Sequence, residues 1–376
     1  LATQAFRAVD GIRTKESKKV RFLQRTSDSS VEGKSGKSTL KYIGDCCIQF
    51  GKGNIYPLVI KKKDHYAQEA LTHKVKYVRL IRKTIRRKRR YFAQLILEGT
   101  PPKTKHLKYG KRDQRVGLDE GTSTIAIVTQ NEVSLKELAP EVTTDEKELR
   151  RLNRAIDRSK RAMNPNNYHE DGAVKKGRHQ WIKSKHCLIL EARRKELYRR
   201  AAQKRQCSHN QLANHIVSLG TDVRVEEMRM KALAKRSSKT TKNKKNGRIR
   251  SKKRYGKVIS NRAPATLIAT IDRKLRYIGF SIQKIDTAKV RASQYDHISN
   301  TYKKKQLSDR WHIFPDGTRV QRDMYSGFLV FCTAEDLKHI DRDLCIRNYQ
   351  KFKRLHDQEV ERLRKENKKA LRWYIT

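Results

Sequence analysis

Acid is what this sequence lacks most. Its 376 residues hold 39 Asp and Glu against 90 Lys and Arg, a formal net charge of +51. Charge of that size and sign implies a polyphosphate partner, because each neutralised phosphate releases condensed counterions. The basic residues run along the whole length rather than in one tail, the pattern of a protein that meets nucleic acid on several faces. Long apolar runs are missing too. No stretch approaches the ~20 residues needed to span a bilayer, and no basic amphipathic helix shows a clean apolar face, so no membrane partner is expected. Apolar residues make up only 36%, and part of the chain is expected to order around its partner. The six cysteines form no Cys-x-x-Cys pair, for which a reducing intracellular compartment is the simplest reading. The start, Leu1-Ala-Thr-Gln-Ala, carries neither Met nor a signal-peptide pattern, which leaves room for a missing N-terminal segment.

At roughly 150 residues per domain the length suits two or three domains. Residues 1–107 read as β-rich, with strands at 58–60, 77–81 and 91–97 and a basic hairpin at 84–90. A small antiparallel barrel is the expectation, with Arg82, Arg86, Arg87 and Arg90 on its outer face. Gly99-Thr-Pro-Pro-Lys103 marks a linker. An α/β domain follows over 108–290. It opens with strands at 115–118, 124–129 and 132–138, and a helical insertion over 145–207 follows. Leu149, Leu152 and Ile156 recur there at helical spacing until Asn164-Pro-Asn-Asn167, and a second helix is expected over roughly 177–205. Arg193-Arg194 and Arg199-Arg200 make that helix denser in charge than solubility requires. A strand at 222–225 precedes a low-complexity basic loop, 235–257, which lacks apolar anchors. A helix over 264–278 carries Leu267, Ile271 and Leu275 on one face, with Pro264 at its start and Gly279 past its end, and a strand at 280–285 follows. Residues 291–322 read as irregular. A helix begins at Asp323, and 349–372 forms a charged C-terminal helical tail.

Three acids stand out against this background. Asp119 and Glu226 end short apolar runs, Val116-Gly-Leu-Asp and Val223-Arg-Val-Glu, that read as buried strands; Asp323 opens a helix in Arg322-Asp-Met-Tyr-Ser. A carboxylate at the end of a core strand faces a desolvation cost of several kcal/mol unless a cation or hydrogen bonds offset it. Three of them on so basic a chain suggest a site that holds divalent metal against a polyanion.

The succession resembles the ribonuclease-H-like fold in its RuvC form: strand with Asp, two strands, helical insertion, strand with Glu, helix, strand, helix with Asp. In that fold the first and fourth strands are adjacent. Gly-Leu-Asp119 followed by Gly121-Thr-Ser-Thr looks like the first RuvC motif. Val-Glu226-Glu-Met looks like the second, and Arg322-Asp323 with Ser326 three residues on looks like the third. Over most of residues 75–335 the chain resembles the TnpB proteins of bacterial transposons and the type V CRISPR effectors. Val290-Arg-Ala-Ser-Gln294 adds to this as the approach to the family's target-binding insert, here 291–322. The resemblance implies an RNA-guided DNA endonuclease with one RuvC site, working in a prokaryotic cytoplasm and associated with the nucleoid when bound to DNA. A guide RNA and target double-stranded DNA would be its partners, base pairing supplying the specificity. It also implies that residues 1–107 form a wedge domain with a reduced or truncated recognition segment. Asp119, Glu226 and Asp323 would be the catalytic and metal-binding residues. Phosphodiester hydrolysis is well served by two divalent ions about 3.5–4 Å apart. Hard carboxylates suit Mg²⁺, with Asp119 bridging both ions. Glu120 and Glu227 read as turn or surface residues.

One departure from the family is plain. Many TnpB proteins carry a four-cysteine zinc ribbon between the second and third motifs, whereas residues 293–312 here contain no cysteine. His297 and His312 alone cannot make a tetrahedral structural site, so no zinc is expected. Tyr295, Tyr302, Trp311 and Lys303–Lys305 are candidates for stacking and backbone contact with nucleic acid, as is Arg322, and the hairpin arginines Arg82, Arg86, Arg87 and Arg90 and the helix arginines Arg193, Arg194, Arg199 and Arg200 are candidates for contact with its backbone. Gly33-Lys-Ser-Gly-Lys-Ser-Thr39 invites a phosphate-loop reading, but Val31 stands where its first Gly belongs. Two other functions remain open at this point: a guide-directed DNA-binding regulator that does not cut, and a guide-independent RuvC-type nuclease or transposase.

Overall fold

The computed structural model describes residues 2–14, 30–33, 39–86, 88–104, 107–238, 255–306 and 308–375. It divides into two compact units, Leu1–Lys103 and Thr104–Thr376. Most of the basic loop at 235–257, the middle of the Gly33–Thr39 stretch, and Arg87 lie outside the described residues.

In the first unit, α1 (Ala2–Arg13) precedes β1 (Ser30–Gly33), β2 (Leu40–Gly44), β3 (Cys47–Phe50) and β4 (Asn54–Pro57); α2 (His65–Ala70) then leads to the long hairpin β5 (Val75–Ile85) and β6 (Lys88–Leu97). The expected barrel is corrected here. The described strands form two open antiparallel sheets, β1-β5-β6 and β2-β3-β4, and no closed barrel. The physical reason is strand length. The four- and five-residue strands β2 to β4 pair only among themselves, and the sheets meet through a small apolar core of Leu40, Ile48 and Val78 rather than through a continuous ladder. The strand expected at 58–60 is absent, since pairing ends at Pro57 and Val59 is 98% exposed. Three apolar residues in a row make no strand without an edge to pair with.

The second unit is built on a five-stranded mixed sheet. Its strands are β7 (Arg115–Glu120), β8 (Thr124–Val128), β9 (Val133–Glu137), β10 (Asp222–Glu226) and β11 (Gln283–Ile285), in the order β11-β10-β7-β8-β9. The first three run antiparallel to one another; β10 lies parallel to β7, and β11 parallel to β10. Between β9 and β10 come α3 (Glu146–Met163) and α4 (Lys185–Leu219), a helical hairpin. The second helix starts later and runs further than the expected 177–205, because the Ser184 side chain caps it by accepting from Cys187 N at 3.0 Å. Its C-terminal half, with Ala213, Ile216 and Val217, returns to the sheet and packs there. After β10 come α5 (Met230–Ala234), α6 (Gly256–Arg262) and α7 (Pro264–Arg276), and after β11 the short α8 (Thr287–Val290). The stretch expected to be irregular holds two small hairpins, β12 (Tyr295–Asp296) with β13 (Thr301–Tyr302) and β14 (Trp311–Ile313) with β15 (Arg319–Gln321). The chain then continues through α9 (Arg322–Phe331), α10 (Arg342–Glu366) and α11 (Lys369–Ile375).

Alternation along the strands sorts the two faces of this sheet. Val116, Leu118, Val223 and Val225 point into one core, against Leu267, Ile271 and Leu275 of α7 and the end of α4. Ala126, Val128 and Leu135 face the other, against Met324, Phe328 and Leu329 of α9 and Phe352 of α10. Gly117 lies on that second face, where a Cβ would stand 2.3 Å from the Gly327 carbonyl and 2.4 Å from Phe331 N. Only a glycine lets α9 come this close to β7. At the far end of the same face Arg224, 1% exposed, is paired with Asp222 at 3.0 Å and Glu335 at 2.9 Å, which offsets the cost of burying its charge. The outer strand β9 is covered, since Leu135 N donates to Glu359 of α10 at 2.9 Å. Among the described residues no helix is long and apolar enough to cross a membrane, and all six cysteines are free.

Candidate active site

Asp119 and Glu226 arrive at one place by strand register. Leu118 pairs with Val225 in the parallel β7/β10 ladder, and the next residue of each strand is the acid. The pleat turns both away from the core filled by Leu118 and Val225, toward the face covered by α9. Asp323 comes from that helix. It sits in the first turn of α9, where Gln321 caps the helix by accepting from Met324 N at 2.8 Å and where the helix dipole favours negative charge. All three side chains are half-buried.

Their electrostatics show that they feel one another. Burial, then the charges of Asp323 and Glu226, hold the Asp119 carboxyl well above the usual carboxylate range, against the pull of Arg322. Burial pushes Glu226 up to about 7. Asp323 is also raised by burial, with Arg310 and Arg322 opposing. Such a trio suits a hard cation in its donor chemistry: every ligand is a carboxylate oxygen, and a divalent charge would relieve the repulsion that raises Asp119. No group of three or more His, Cys, Asp or Glu among the described residues is gathered tightly enough to enclose a metal ion by itself.

Glu120 was not singled out by its position in the sequence, and the structure places it differently from a turn or surface residue. It is buried, its Oε1 has no hydrogen-bond partner, and burial pushes its pKa up to about 7. The signal was available in the alternation of β7: if Asp119 faces α9, its neighbour must face the opposite core. Arg310 was missed with no such signal, because only the folded hairpin brings its carbonyl to Arg322 N, one residue before Asp323.

The basic candidates scatter. Arg82 is half-buried in β5; Arg86, in the left-handed region at φ 48°, turns the β5/β6 hairpin and is exposed, as is Arg90. Lys83 stands directly opposite Arg90 across that hairpin. Arg193 and Arg194 of α4 reach α3, pairing with Glu148 at 2.5 Å and Asn153 at 3.1 Å. Arg199 and Arg200 share Glu196 on their own helix. The Arg193 and Arg194 contacts tie the two helices of the hairpin together. Arg322 lies at the carboxylates, its Nη1 donating to the Gln306 carbonyl at 2.9 Å. Tyr295 is corrected: it is buried, with its hydroxyl donating to Asn300 at 2.8 Å and its ring against Tyr302 at 4.9 Å, which leaves no free face for a base. The exposed ring is that of Tyr302, with the Arg291 guanidinium 4.4 Å from its centroid.

No protein-family model matches the chain, and no curated protein matches it at a significant level. Among solved structures it is similar to a protein in a cryo-EM structure of a Cas12f1–sgRNA–target DNA complex. That alignment has 12% identity and a TM-score of 0.49, covering 85% of this chain and 67% of the other. It is also similar to one in a cryo-EM structure of a CRISPR–Cas12f ternary complex, at 13% identity and a TM-score of 0.30, covering 85% and 66%. The chain thus spans about two thirds of the length of those proteins. These neighbours are type V CRISPR effectors, the group that the sequence motifs resemble. At such identity and overlap the likeness assigns no residue a role.

Proposed function

We propose that this protein is an RNA-guided DNA endonuclease of the type V kind, with a single RuvC-like site formed by Asp119, Glu226 and Asp323. The observation that carries the reading is their convergence. Two acids end adjacent parallel strands and a third opens the helix packed on the same face, close enough for their charges to interact. The strand order, with three antiparallel strands followed by two parallel ones on the other side of the first, supports a ribonuclease-H-like reading. Mg²⁺ held by these carboxylates would supply an activated water and stabilise the leaving oxygen. Because Mg²⁺ keeps several waters and binds through one or two carboxylates plus substrate phosphate, a trio that does not itself close around an ion still fits it. Asp119, central by register, would be the shared ligand. Arg310 and Arg322 limit the repulsion among the three.

The basic surfaces fit the nucleic-acid partners. Like charges facing each other across a hairpin, as Lys83 and Arg90 do, are destabilising in the free protein and are relieved by a phosphate backbone. Guide RNA and target duplex would each bring one.

The test is direct. The protein is purified with the RNA it carries, that RNA is sequenced, and DNA matched to it is offered with Mg²⁺ and with EDTA. Cleavage of matched DNA with Mg²⁺ alone, reduced to background in Asp119→Ala, is the expected result. Full cleavage by Asp119→Ala would reject the site. A discrete RNA with binding but no cutting would favour a regulator, and random RNA fragments a nuclease that needs no guide.

A further inference from the structure

Arg310 is held in an unusual way. Its guanidinium lies over the rings of Trp373 and Tyr374 in α11, 5.5 and 5.0 Å from their centroids. Its Nε is buried without a hydrogen-bond partner. Rings hold a guanidinium by its face and leave its N–H edge for an anion, whereas a carboxylate partner would occupy that edge. The backbone fixes the same residue from the other side: the Arg310 carbonyl accepts from Arg322 N at 2.9 Å, one residue before Asp323.

The same helix reaches the turn that follows the strand of Asp119. The Tyr374 hydroxyl lies 3.0 Å from Ser123 Oγ, in the turn that follows β7 and Asp119. That turn is tied down in its own right, with Leu138 N donating to the Ser123 carbonyl at 2.9 Å. Leu371 and Ile375 anchor α11 in the core that contains Val360 and Leu363 of α10. A segment far along the chain from all three acids therefore touches the surroundings of two of them.

We propose that the rings of Trp373 and Tyr374 form a positioning clamp for the carboxylate site, holding Arg310 beside the start of α9, where Asp323 sits. The clamp deepens the nuclease reading and rests on it for its catalytic consequence. Its geometric claim, that these rings hold Arg310, can be read without any cleavage.

The experiment uses the RNA-bound protein and the double variant Trp373→Leu/Tyr374→Leu. Modification of Arg310 by phenylglyoxal, followed by peptide mass spectrometry, is expected to be several-fold faster in the variant. Cleavage at saturating matched DNA should fall by roughly 10- to 100-fold, the scale of a displaced positioning group, with KM and the melting temperature close to the parent's. Tyr374→Phe keeps the ring and loses the hydroxyl, so it should keep Arg310 protected and retain most of the cleavage rate. Should the double variant fail to fold, Trp373→Leu replaces it, since Trp373 is 58% exposed. Unchanged Arg310 reactivity overturns the clamp. So does faster modification with an unchanged cleavage rate, which would reduce the contact to packing. A Tyr374→Phe protein as impaired as the leucine variant also overturns it, because the ring would then not be the holder. Asp119→Ala separates the two readings. If it cuts like the parent, the nuclease site fails; if it is inert while the double variant cuts normally, the clamp alone fails.

Discussion

His297 and His312 are both buried, and burial pushes each imidazole down to about 4. His297 Nδ1 meets the Tyr325 hydroxyl at 2.8 Å, and His312 Nε2 meets Asp296 at 3.2 Å while its ring stacks on Tyr325 at 4.6 Å. The pair thus fastens the 291–322 insert to α9. Both rings are neutral in the fold at pH 7. As pH falls below 6.5 the unfolded chain takes up protons that the folded one refuses, so stability is lost between about pH 6.5 and 4. At about 1.4 kcal/mol per unit the loss reaches roughly 3 kcal/mol per ring at most. Glu120 and Glu226, raised to about 7, act in the opposite sense and gain stability as pH falls from 7 toward 4.5. The comparison that isolates the imidazoles is therefore parent against His297→Gln/His312→Gln, by urea unfolding at pH 7 and pH 5. The variant should be less stable at pH 7 and should lose less on going to pH 5; equal losses would refute the assignment. At this scale the sequence singled out Asp119, Glu226 and Asp323 as candidates from local context. It could not show that Glu120 is buried or that Tyr295 is packed away, because those depend on which core each side chain meets.

At the scale of elements, the contact between β7 and α9 sets the distance from Asp119 to Asp323. Gly117 and Gly327 make that contact possible, and the Cβ of Gly117→Ala would collide with backbone on two residues of α9. Backbone cannot rotate aside as a side chain can. Gly117→Ala should therefore cost at least the 1–3 kcal/mol typical of overpacking, and should reduce cleavage even in the fraction that stays folded. Thermal unfolding with cleavage normalised to folded protein measures both, and a full-rate, fully stable variant would refute the argument. Strands β7 to β10 and helix α7 were readable from apolar runs and helical spacing, since burial on both faces writes itself into composition. The extent of α4 was not. Its second half packs on the sheet through Ala213, Ile216 and Val217, and its start depends on one Ser184 hydrogen bond. The expected barrel failed for a related reason: strand pairing is decided between segments, and short runs do not announce their partners.

Across the whole molecule the excess of base dominates. With a formal charge of +51, binding to RNA should be strongly salt-dependent. Engagement of 6–10 phosphates would weaken affinity by about 10³- to 10⁵-fold between 50 and 200 mM salt. Filter binding or fluorescence anisotropy over that range checks it, and a shallow dependence would mean that few of the basic residues touch the backbone. Many of them are already engaged: Arg193 and Arg194 brace α3 against α4, and Arg115 and Arg224 pair with Asp222 and Glu335. Counting Lys and Arg therefore overstates the charge free to meet a phosphate.

The sequence by itself determined the excess of positive charge and which acids end the core strands. Net charge and the run of apolar residues before a carboxylate are properties of the chain that folding does not alter. Only the tertiary structure decided that the charge of Asp323 reaches Asp119 and Glu226, that the Arg310 backbone meets Arg322, and that its guanidinium lies over the aromatic rings of α11. Those contacts join residues that lie on separate elements, and they exist because packing, not proximity along the chain, chooses which side chains meet.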